Sequence, residues 1–283
     1  PKKGGYLLHS GAVLGCVLSI SGLGGIRLKS KVEPGDTLLL IDSKGKKWMV
    51  QASLRRTLST HRGEISLQEL IGTPYGASVR TKIGERVWLA RPTCEDFIMK
   101  SRRPTQIVYP KDMGILLTRS GIGPGSLVVE GGTGSGALAT LLAWFVRPNG
   151  HVFSYETRRD FIETAARNLG RAGLLDYVTL KEGDVTAGVD EADAQAFFLD
   201  IGDPWRAIPV AHRSLIGGAV LSVITPTYNQ VEKTAESMKG MFTDIQTVEI
   251  LMRNVLVRRG RTRPGSRMIG HTAFLTTGRK TVG

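Results

Sequence analysis

The sequence contains only two cysteines, Cys16 and Cys94, among its 283 residues. They lie too far apart for a metal-binding knuckle or a C-x-x-C redox motif, so we expect reduced thiols and no bound metal. Long apolar runs are also missing, because no stretch reaches the roughly 18 continuous apolar residues of a membrane span. These absences predict a cytoplasmic protein that does not cross a membrane.

Acidic residues are in the minority, with 25 Asp and Glu against 38 Lys and Arg, which gives a net charge of +13. This excess favours a polyanionic partner, first of all nucleic acid, although a basic surface can also serve solubility alone. The stretch from Arg253 to Lys280 contains eight basic residues and no acid. We predict that five closely spaced arginines in this stretch form a phosphate-binding arm on a loop between the final strands. These arginines are Arg258, Arg259, Arg261, Arg263 and Arg267. The alternative is a solvated charge run, but the apolar segments on both sides favour the arm.

The order of apolar runs and turns predicts two domains after an uncertain N-terminal extension, residues 1–33. For that extension we expect an added strand or a packing arm rather than an export signal. Residues 34–91 show short strand patterns at 37–41, 47–51, 78–81 and 86–90, typical of a small β-barrel-like domain. Residues 92–283 alternate strands with helices, including an amphipathic helix over 159–171, and this alternation predicts a doubly wound parallel sheet.

A glycine-rich turn directly follows the apolar run 127–129 and is the strongest sign of a ligand site. Such a turn between strand and helix brings backbone N–H groups against a carboxylate or phosphate. The stretch from Gly134 to Ala139 also fits the dinucleotide pattern G-x-G-x-x-A, and some glycine turns only pack a helix against a strand. We assign the turn to cofactor binding, with these candidates: Glu130, Gly132, Thr133, Gly134, Ser135 and Gly136.

Three further strand-like runs also end in an acidic residue, at Glu156, Asp184 and Asp200. Ligands of open α/β sheets bind beyond the carboxyl ends of the strands, so these carboxylates should converge with Glu130 on one crevice. At the end of the second strand, Glu156 is expected to accept hydrogen bonds from ribose hydroxyls. Taken alone, Asp184 is equally well explained as a helix cap or a turn residue, and for Asp200 a helix cap is the less favoured alternative.

Five motifs in this order resemble the tRNA adenine-58 N1-methyltransferases, in the homo-oligomeric form of bacteria and archaea. They are 106–112 (QIVYPKD), 130–136 (EGGTGSG), 154–156 (SYE), 199–205 (LDIGDPW) and 263–275 (RPGSRMIGHTAFL). The resemblance runs from about residue 35 to the C-terminus and implies a class I, Rossmann-like methyltransferase sheet with an antiparallel hairpin at one edge. It departs at Gly132, where the family usually has an alanine-glycine pair, and at Ile201-Gly202, where leucine-proline is common.

The resemblance also implies ligands and roles. S-adenosylmethionine would occupy the crevice, Asp200 would face the target adenine, and tRNA would be the substrate of a homotetramer. Gln106 is expected to hold the methionine end of the cofactor. Tyr109 would stack on or position a flipped base, unless it is a buried core tyrosine. His271 is a further candidate for RNA contact, but a structural histidine is the favoured interpretation.

Two other function classes stay open. A nicotinamide-dependent oxidoreductase would explain the G-x-G-x-x-A overlap and Glu156, but it explains neither the arginines nor the Asp200 motif. A non-catalytic RNA-binding subunit of a methyltransferase complex would explain the arginines, but such a subunit should have lost the glycine turn.

Overall fold

The computed structural model describes residues 29–61, 63–104 and 106–283. Cys16 and nearly all of the predicted extension therefore lie outside the described residues. Among the helices that the structure does describe, none is both long and apolar enough to cross a membrane.

Six short strands form the N-terminal part of the described chain. Their bounds are β1 Thr37–Asp42, β2 Lys47–Gln51, β3 Thr57–Thr60, β4 Gly63–Ser66, β5 Ser78–Arg80 and β6 Arg86–Ala90. A four-stranded antiparallel sheet has the order β2-β1-β6-β5, and β3 pairs with β4 in a separate hairpin.

Alternating side chains explain why these strands share one core. In β6, Val87 and Leu89 are buried while Arg86 and Trp88 are exposed, as the two-residue period of a half-buried strand requires. Ile65 of the separate hairpin packs into the same apolar cluster. The expected barrel-like domain is thus built from two sheets around a single core.

The C-terminal part contains a seven-stranded sheet covered by helices. The strands are β7 Leu127–Gly131, β8 His151–Glu156, β9 Val178–Glu182, β10 Ala194–Leu199, β11 Leu215–Thr225, β12 Phe242–Glu249 and β15 Phe274–Lys280. The helices are α1 Cys94–Lys100, α2 Pro110–Ser120, α3 Ala137–Val146, α4 Arg159–Ala172, α5 Ile208–Ser214 and α6 Tyr228–Met238. The order of the strands in the sheet is β12-β15-β11-β10-β7-β8-β9. The five strands from β11 to β9 run parallel, whereas β15 is antiparallel to both β11 and β12.

Both faces of the central parallel strands are buried, as expected of strands covered by crossover helices. Phe197 and Phe198, adjacent in the central strand β10, belong to two different apolar clusters. The amphipathic pattern of α4 is confirmed, because Phe161, Ala165 and Leu169 are its buried apolar residues. The structure therefore confirms the predicted doubly wound sheet and its antiparallel edge.

The chain leaves the sheet after β12 and returns to it at β15. We call the segment between them, residues 251–271, the arm. It contains a two-stranded hairpin in which β13 Val255–Leu256 pairs with β14 Arg263–Pro264. The predicted loop between the final strands thus has a short hairpin of its own.

Candidate active site

The glycine-rich turn joins the end of β7 to the start of α3, and two of its glycines are required by close packing. Gly132 has φ +95°, and a Cβ atom there would lie 2.1 Å from the carbonyl oxygen of Asp200. Gly136 has φ +79°, and its Cβ would lie 3.0 Å from that of Ala165 in α4. Gly134 also has a positive φ, of +52°, but faces open space. The turn therefore combines tight backbone packing with an open side.

That open side faces two adjoining cavities of about 250 and 370 Å³, which we call the crevice. Both cavities are lined by Gly132, Glu156 and Asp200. The first is also lined by four further predicted cofactor residues, Gln106, Thr133, Gly134 and Ser135. Asp184 lines the second. The structure thus brings the acids at the ends of β8 and β10 together, as the strand-end argument predicts.

Glu156 is held in place by backbone donors. Its Oε2 atom accepts a hydrogen bond from the Gly134 amide at 2.9 Å, and Oε1 accepts one from the Arg158 amide at 3.0 Å. Thr157 Oγ1 also donates to Oε1, at 3.4 Å. A carboxylate oxygen has two lone pairs, so the remaining acceptor capacity for a ligand in the crevice lies chiefly on Oε2.

Asp200 follows β10 and reaches the open space of the crevice, with protein on its other sides. Desolvation raises the pKa of its carboxyl group to about 6. The carboxylate is therefore the main form at neutral pH, and it is exposed towards the crevice. Asp184 differs, because its Oδ1 accepts a hydrogen bond from the Thr186 amide at 2.8 Å, which lowers its pKa. That bond closes a local turn, as the structural alternative for Asp184 proposed.

Glu130 lies beneath the crevice, fully buried, rather than on its lining. Ser154 Oγ donates a hydrogen bond to Glu130 Oε2, and Thr133 Oγ1 lies 2.5 Å from Ser154 Oγ. Burial, with smaller contributions from the nearby Asp200 and Glu156 carboxylates, raises the pKa of Glu130 to about 8, although hydrogen bonds from Ser154 and the Ala139 backbone lower it. Glu130 thus contacts the glycine turn through Ser154, to which the sequence analysis gave no role beyond its place in the motif 154–156.

Asn168 is a second residue that sequence reasoning missed. Its Oδ1 accepts from the Arg102 amide at 3.1 Å, and its Nδ2 donates to the Arg102 and Ser135 carbonyl oxygens, both at 2.9 Å. This nearly buried amide in α4 joins the segment leading to Gln106 directly to the glycine turn. A polar residue on the otherwise apolar face of α4 was the available signal.

A third cavity, of about 870 Å³, lies between the arm and the start of α2, and we call it the arm cavity. Tyr109, the N-cap residue of α2, is half-buried and lines it together with Arg267 from the arm. The rest of the lining is mostly apolar, including Met99, Met252 and Ile269. Tyr109 follows directly after residues 106–108, which line the crevice.

The five predicted RNA-binding arginines are all exposed on the arm. His271, at the end of the arm, uses both ring nitrogens within the protein: Nδ1 lies 2.6 Å from Glu249 Oε1, and Nε2 lies 2.8 Å from the Pro226 carbonyl oxygen. Both partners are acceptors, so only the protonated ring donates to both. The hydrogen bond with Glu249 raises the pKa of His271 accordingly. The geometry matches the structural role that the sequence analysis favours for His271.

Two family models match the chain. The model described as tRNA methyltransferase complex GCD14 subunit matches residues 85–268, and the model described as TrmI-like N-terminal matches residues 31–79. A curated relative from Methanocaldococcus jannaschii, named tRNA (adenine(57)-N(1)/adenine(58)-N(1))-methyltransferase TrmI, is 31% identical over 85% of this chain and 94% of its own length. The tRNA (adenine(58)-N(1))-methyltransferase TrmI of Thermus thermophilus is 31% identical over 86% and 96%.

Solved structures agree with these matches. A SAM-dependent O-methyltransferase from Thermotoga maritima has a TM-score of 0.85 and 35% identity, over 90% of this chain and 96% of that one. The tRNA (m1A58) methyltransferase TrmI from Aquifex aeolicus has a TM-score of 0.78 and 32% identity, over 89% and 100%. On these similarities, together with the glycine turn and the acids that meet beside it, the chain belongs to the GCD14/TrmI family of tRNA methyltransferases.

Proposed function

We propose that this protein transfers a methyl group from S-adenosylmethionine to N1 of an adenine in tRNA, at position 58 of the T loop. The observation that carries the proposal is the convergence of Glu156 and Asp200 beside the glycine turn, on the crevice that also contains Gln106. The similarity to relatives named as tRNA adenine-N1 methyltransferases supplies the acceptor atom.

The residues of the crevice fit the proposed cofactor. Glu156 offers acceptor capacity for the ribose hydroxyls, while Gly183 and Asp184, which follow β9, line the side on which we place the adenine ring. The Ser135 hydroxyl is buried and has no hydrogen-bond partner among the described residues, so it is available to the charged methionine end. Gln106 faces the same cavity. When bound, S-adenosylmethionine supplies an electrophilic methyl group.

Methyl transfer to adenine N1 requires that the adenine is oriented and that the developing positive charge is stabilised, but it does not require a general base. Neutral adenine already has a lone pair at N1, and methylation leaves a positive charge on the ring. Asp200 can accept a hydrogen bond from the exocyclic N6 amine, which orients the base and stabilises the developing cation. A preorganised charge of this kind contributes roughly 3 to 4 kcal/mol to transition-state stabilisation. N1 lies on the Watson–Crick edge, so the base must first leave its pair.

The arm and Tyr109 suit the handling of that unpaired RNA. We propose that the arm arginines neutralise phosphates and that Tyr109 stacks on or positions the extruded base. The arm cavity is lined by both Tyr109 and Arg267, so it lies between the residue proposed to bind the base and one of the arginines proposed to bind phosphate. For His271 we retain RNA contact only as the weaker alternative, because both of its ring nitrogens are engaged within the protein.

Three other functions are less well supported. An oxidoreductase does not account for the family match or the arm. A silent RNA-binding subunit does not account for the retained glycine turn and Asp200. The Thermotoga maritima structure is named as an O-methyltransferase, which would make an oxygen the acceptor, but that name leaves the exposed arginines unexplained.

The oligomer, the compartment and the domain boundary are further proposals. We propose a homotetramer that acts in the cytoplasm, with the small β domain ending near residue 91. The exposed apolar side chains of the arm, among them Leu251 and Val257, favour self-association. Light scattering of the purified protein measures its molar mass in solution and thus the number of subunits. The mass of a monomer would contradict the proposed homotetramer.

Incubation with labelled S-adenosylmethionine and unmodified tRNA, followed by nucleoside analysis, tests the proposed function. We expect label in 1-methyladenosine. Label in a ribose O-methyl group would support an oxygen acceptor instead, and tight NAD binding without methyl transfer would support the oxidoreductase.

A further inference from the structure

The two ends of the arm meet at a single lysine. The Nζ atom of Lys111 donates to the Ile250 carbonyl oxygen and to the Thr272 hydroxyl, both at 2.6 Å. Ile250 immediately precedes the arm, and Thr272 immediately follows it. One ammonium group in the first turn of α2 therefore binds both ends of the 251–271 segment.

Asp112 completes this cluster. Its Oδ1 lies 2.7 Å from Lys111 Nζ, and its Oδ2 accepts a hydrogen bond from Thr272 Oγ1 at 2.7 Å. The Asp112 side chain is fully buried and that of Lys111 is 8% exposed. An ammonium group has three donors, and Asp112, Ile250 and Thr272 occupy all three. Lys111 is thus engaged within the protein, and none of its donors is left for a phosphate.

The arm needs such an attachment because it has little regular secondary structure and few buried side chains of its own. Its hairpin has two residues in each strand, and its large apolar side chains are mostly exposed. An isolated two-stranded hairpin is marginally stable in water. The orientation of the arm therefore depends on the contacts at its two ends. Tyr109 lies two residues before Lys111, so the same helix start presents Tyr109 to the arm cavity and anchors the opposite wall.

We propose that Lys111, Asp112 and Thr272 are positioning residues that fix the arm relative to Tyr109 and so set the site in which tRNA is bound. The part about tRNA rests on the proposed function. The part about the arm does not, because the position of the arm can be measured without RNA.

Two substitutions at one position separate the hydroxyl group from the shape of the side chain. Thr272→Val keeps the branched shape but removes both hydrogen bonds, whereas Thr272→Ser keeps the hydroxyl group. In Thr272→Val we expect trypsin to cleave after the arm arginines roughly tenfold faster, because the local opening of the arm is easier. We expect the KM for tRNA to rise roughly tenfold, with kcat and the affinity for S-adenosylmethionine within about twofold. Thr272→Ser should restore the wild-type values.

A second pair of variants compares the loss of Lys111, which holds the ends of the arm, with the loss of a lysine that does not contact the arm. Lys111→Met should give the same arm-specific cleavage as Thr272→Val, while Lys239→Met, at an exposed position after α6, should leave it unchanged. Equal cleavage and equal tRNA KM in Thr272→Val and Thr272→Ser would overturn the proposal. So would a general loss of cofactor affinity and thermal stability without arm-specific cleavage. If the wild type transfers no methyl group to tRNA, the proposed function fails, and the cleavage comparison still decides the role of the cluster.

Discussion

Replacing Glu130 by glutamine should change how the stability of the protein depends on pH. The pKa of this buried carboxyl group is raised from 4.5 to about 8, chiefly by burial. The native state therefore holds a proton that the unfolded chain releases above pH 4.5. Consequently, the free energy of unfolding of the wild type decreases as the pH rises from 4.5 to 8, and Glu130→Gln removes this dependence.

The magnitude follows from the shift in pKa. One pKa unit corresponds to about 1.4 kcal/mol, and titration from 4.5 to about 8 means that the wild type should lose about 3.5 kcal/mol more than the variant between pH 5 and pH 8. A glutamine also places an NH₂ group where Glu130 Oε1 has no hydrogen-bond partner among the described residues, which costs roughly 1 to 3 kcal/mol at every pH. The pH dependence of the difference, rather than its value at one pH, is therefore the diagnostic quantity.

Urea unfolding followed by circular dichroism at pH 5, 6, 7 and 8 measures this difference. Glu182→Gln is the matched control, because Glu182 is an exposed glutamate at the end of the neighbouring strand β9. The control should run parallel to the wild type. Parallel curves for Glu130→Gln as well would show that Glu130 is ionised in the native protein and would refute the reasoning about its burial.

Three further predictions concern the crevice and the arm. Glu156→Ala should weaken S-adenosylmethionine binding in calorimetry while leaving tRNA affinity nearly intact, and an unchanged cofactor affinity would remove its ribose role. Asp200→Asn should slow single-turnover methyl transfer roughly a hundredfold, the equivalent of about 3 kcal/mol. In the wild type the same rate should fall as the pH drops below about 6, where Asp200 takes up a proton, and a wild-type rate in the variant would leave Asp200 as a cap only. A variant with alanine at Arg258, Arg259, Arg261 and Arg263 should show a shallower slope of log tRNA affinity against log salt concentration. The slope should decrease by roughly 0.7 to 0.9 for each phosphate that is no longer neutralised. An unchanged slope would show that these arginines form a solvated surface without phosphate contacts.

The sequence predicted the sheet and the crevice because both depend on local signals. Apolar runs that end in Glu156 and Asp200 identify parallel strands, and the topology of an open α/β sheet then places their ends together. The need for glycine at position 132 was less predictable, since it arises from a carbonyl oxygen of Asp200, 68 residues further along the chain.

Contacts between distant polar side chains escaped sequence reasoning for the same reason. Asn168 and Ser154 look unremarkable in their own segments, and only the packing of α4 and β8 brings them to the glycine turn. The positive charge of Lys111 suggests a phosphate contact, but burial against Asp112 directs its three donors to the protein. Charge alone does not indicate whether an ammonium group faces solvent.

Methyl transfer to matched tRNA transcripts tests the central claim most directly. Four transcripts that differ only in whether adenine or guanine occupies positions 57 and 58 are incubated with the wild-type protein and labelled S-adenosylmethionine. The proposed function predicts 1-methyladenosine from the transcripts with adenine at position 58 and its loss when guanine replaces that adenine. Label that is absent from all four transcripts, or that does not depend on the base at position 58, would contradict it.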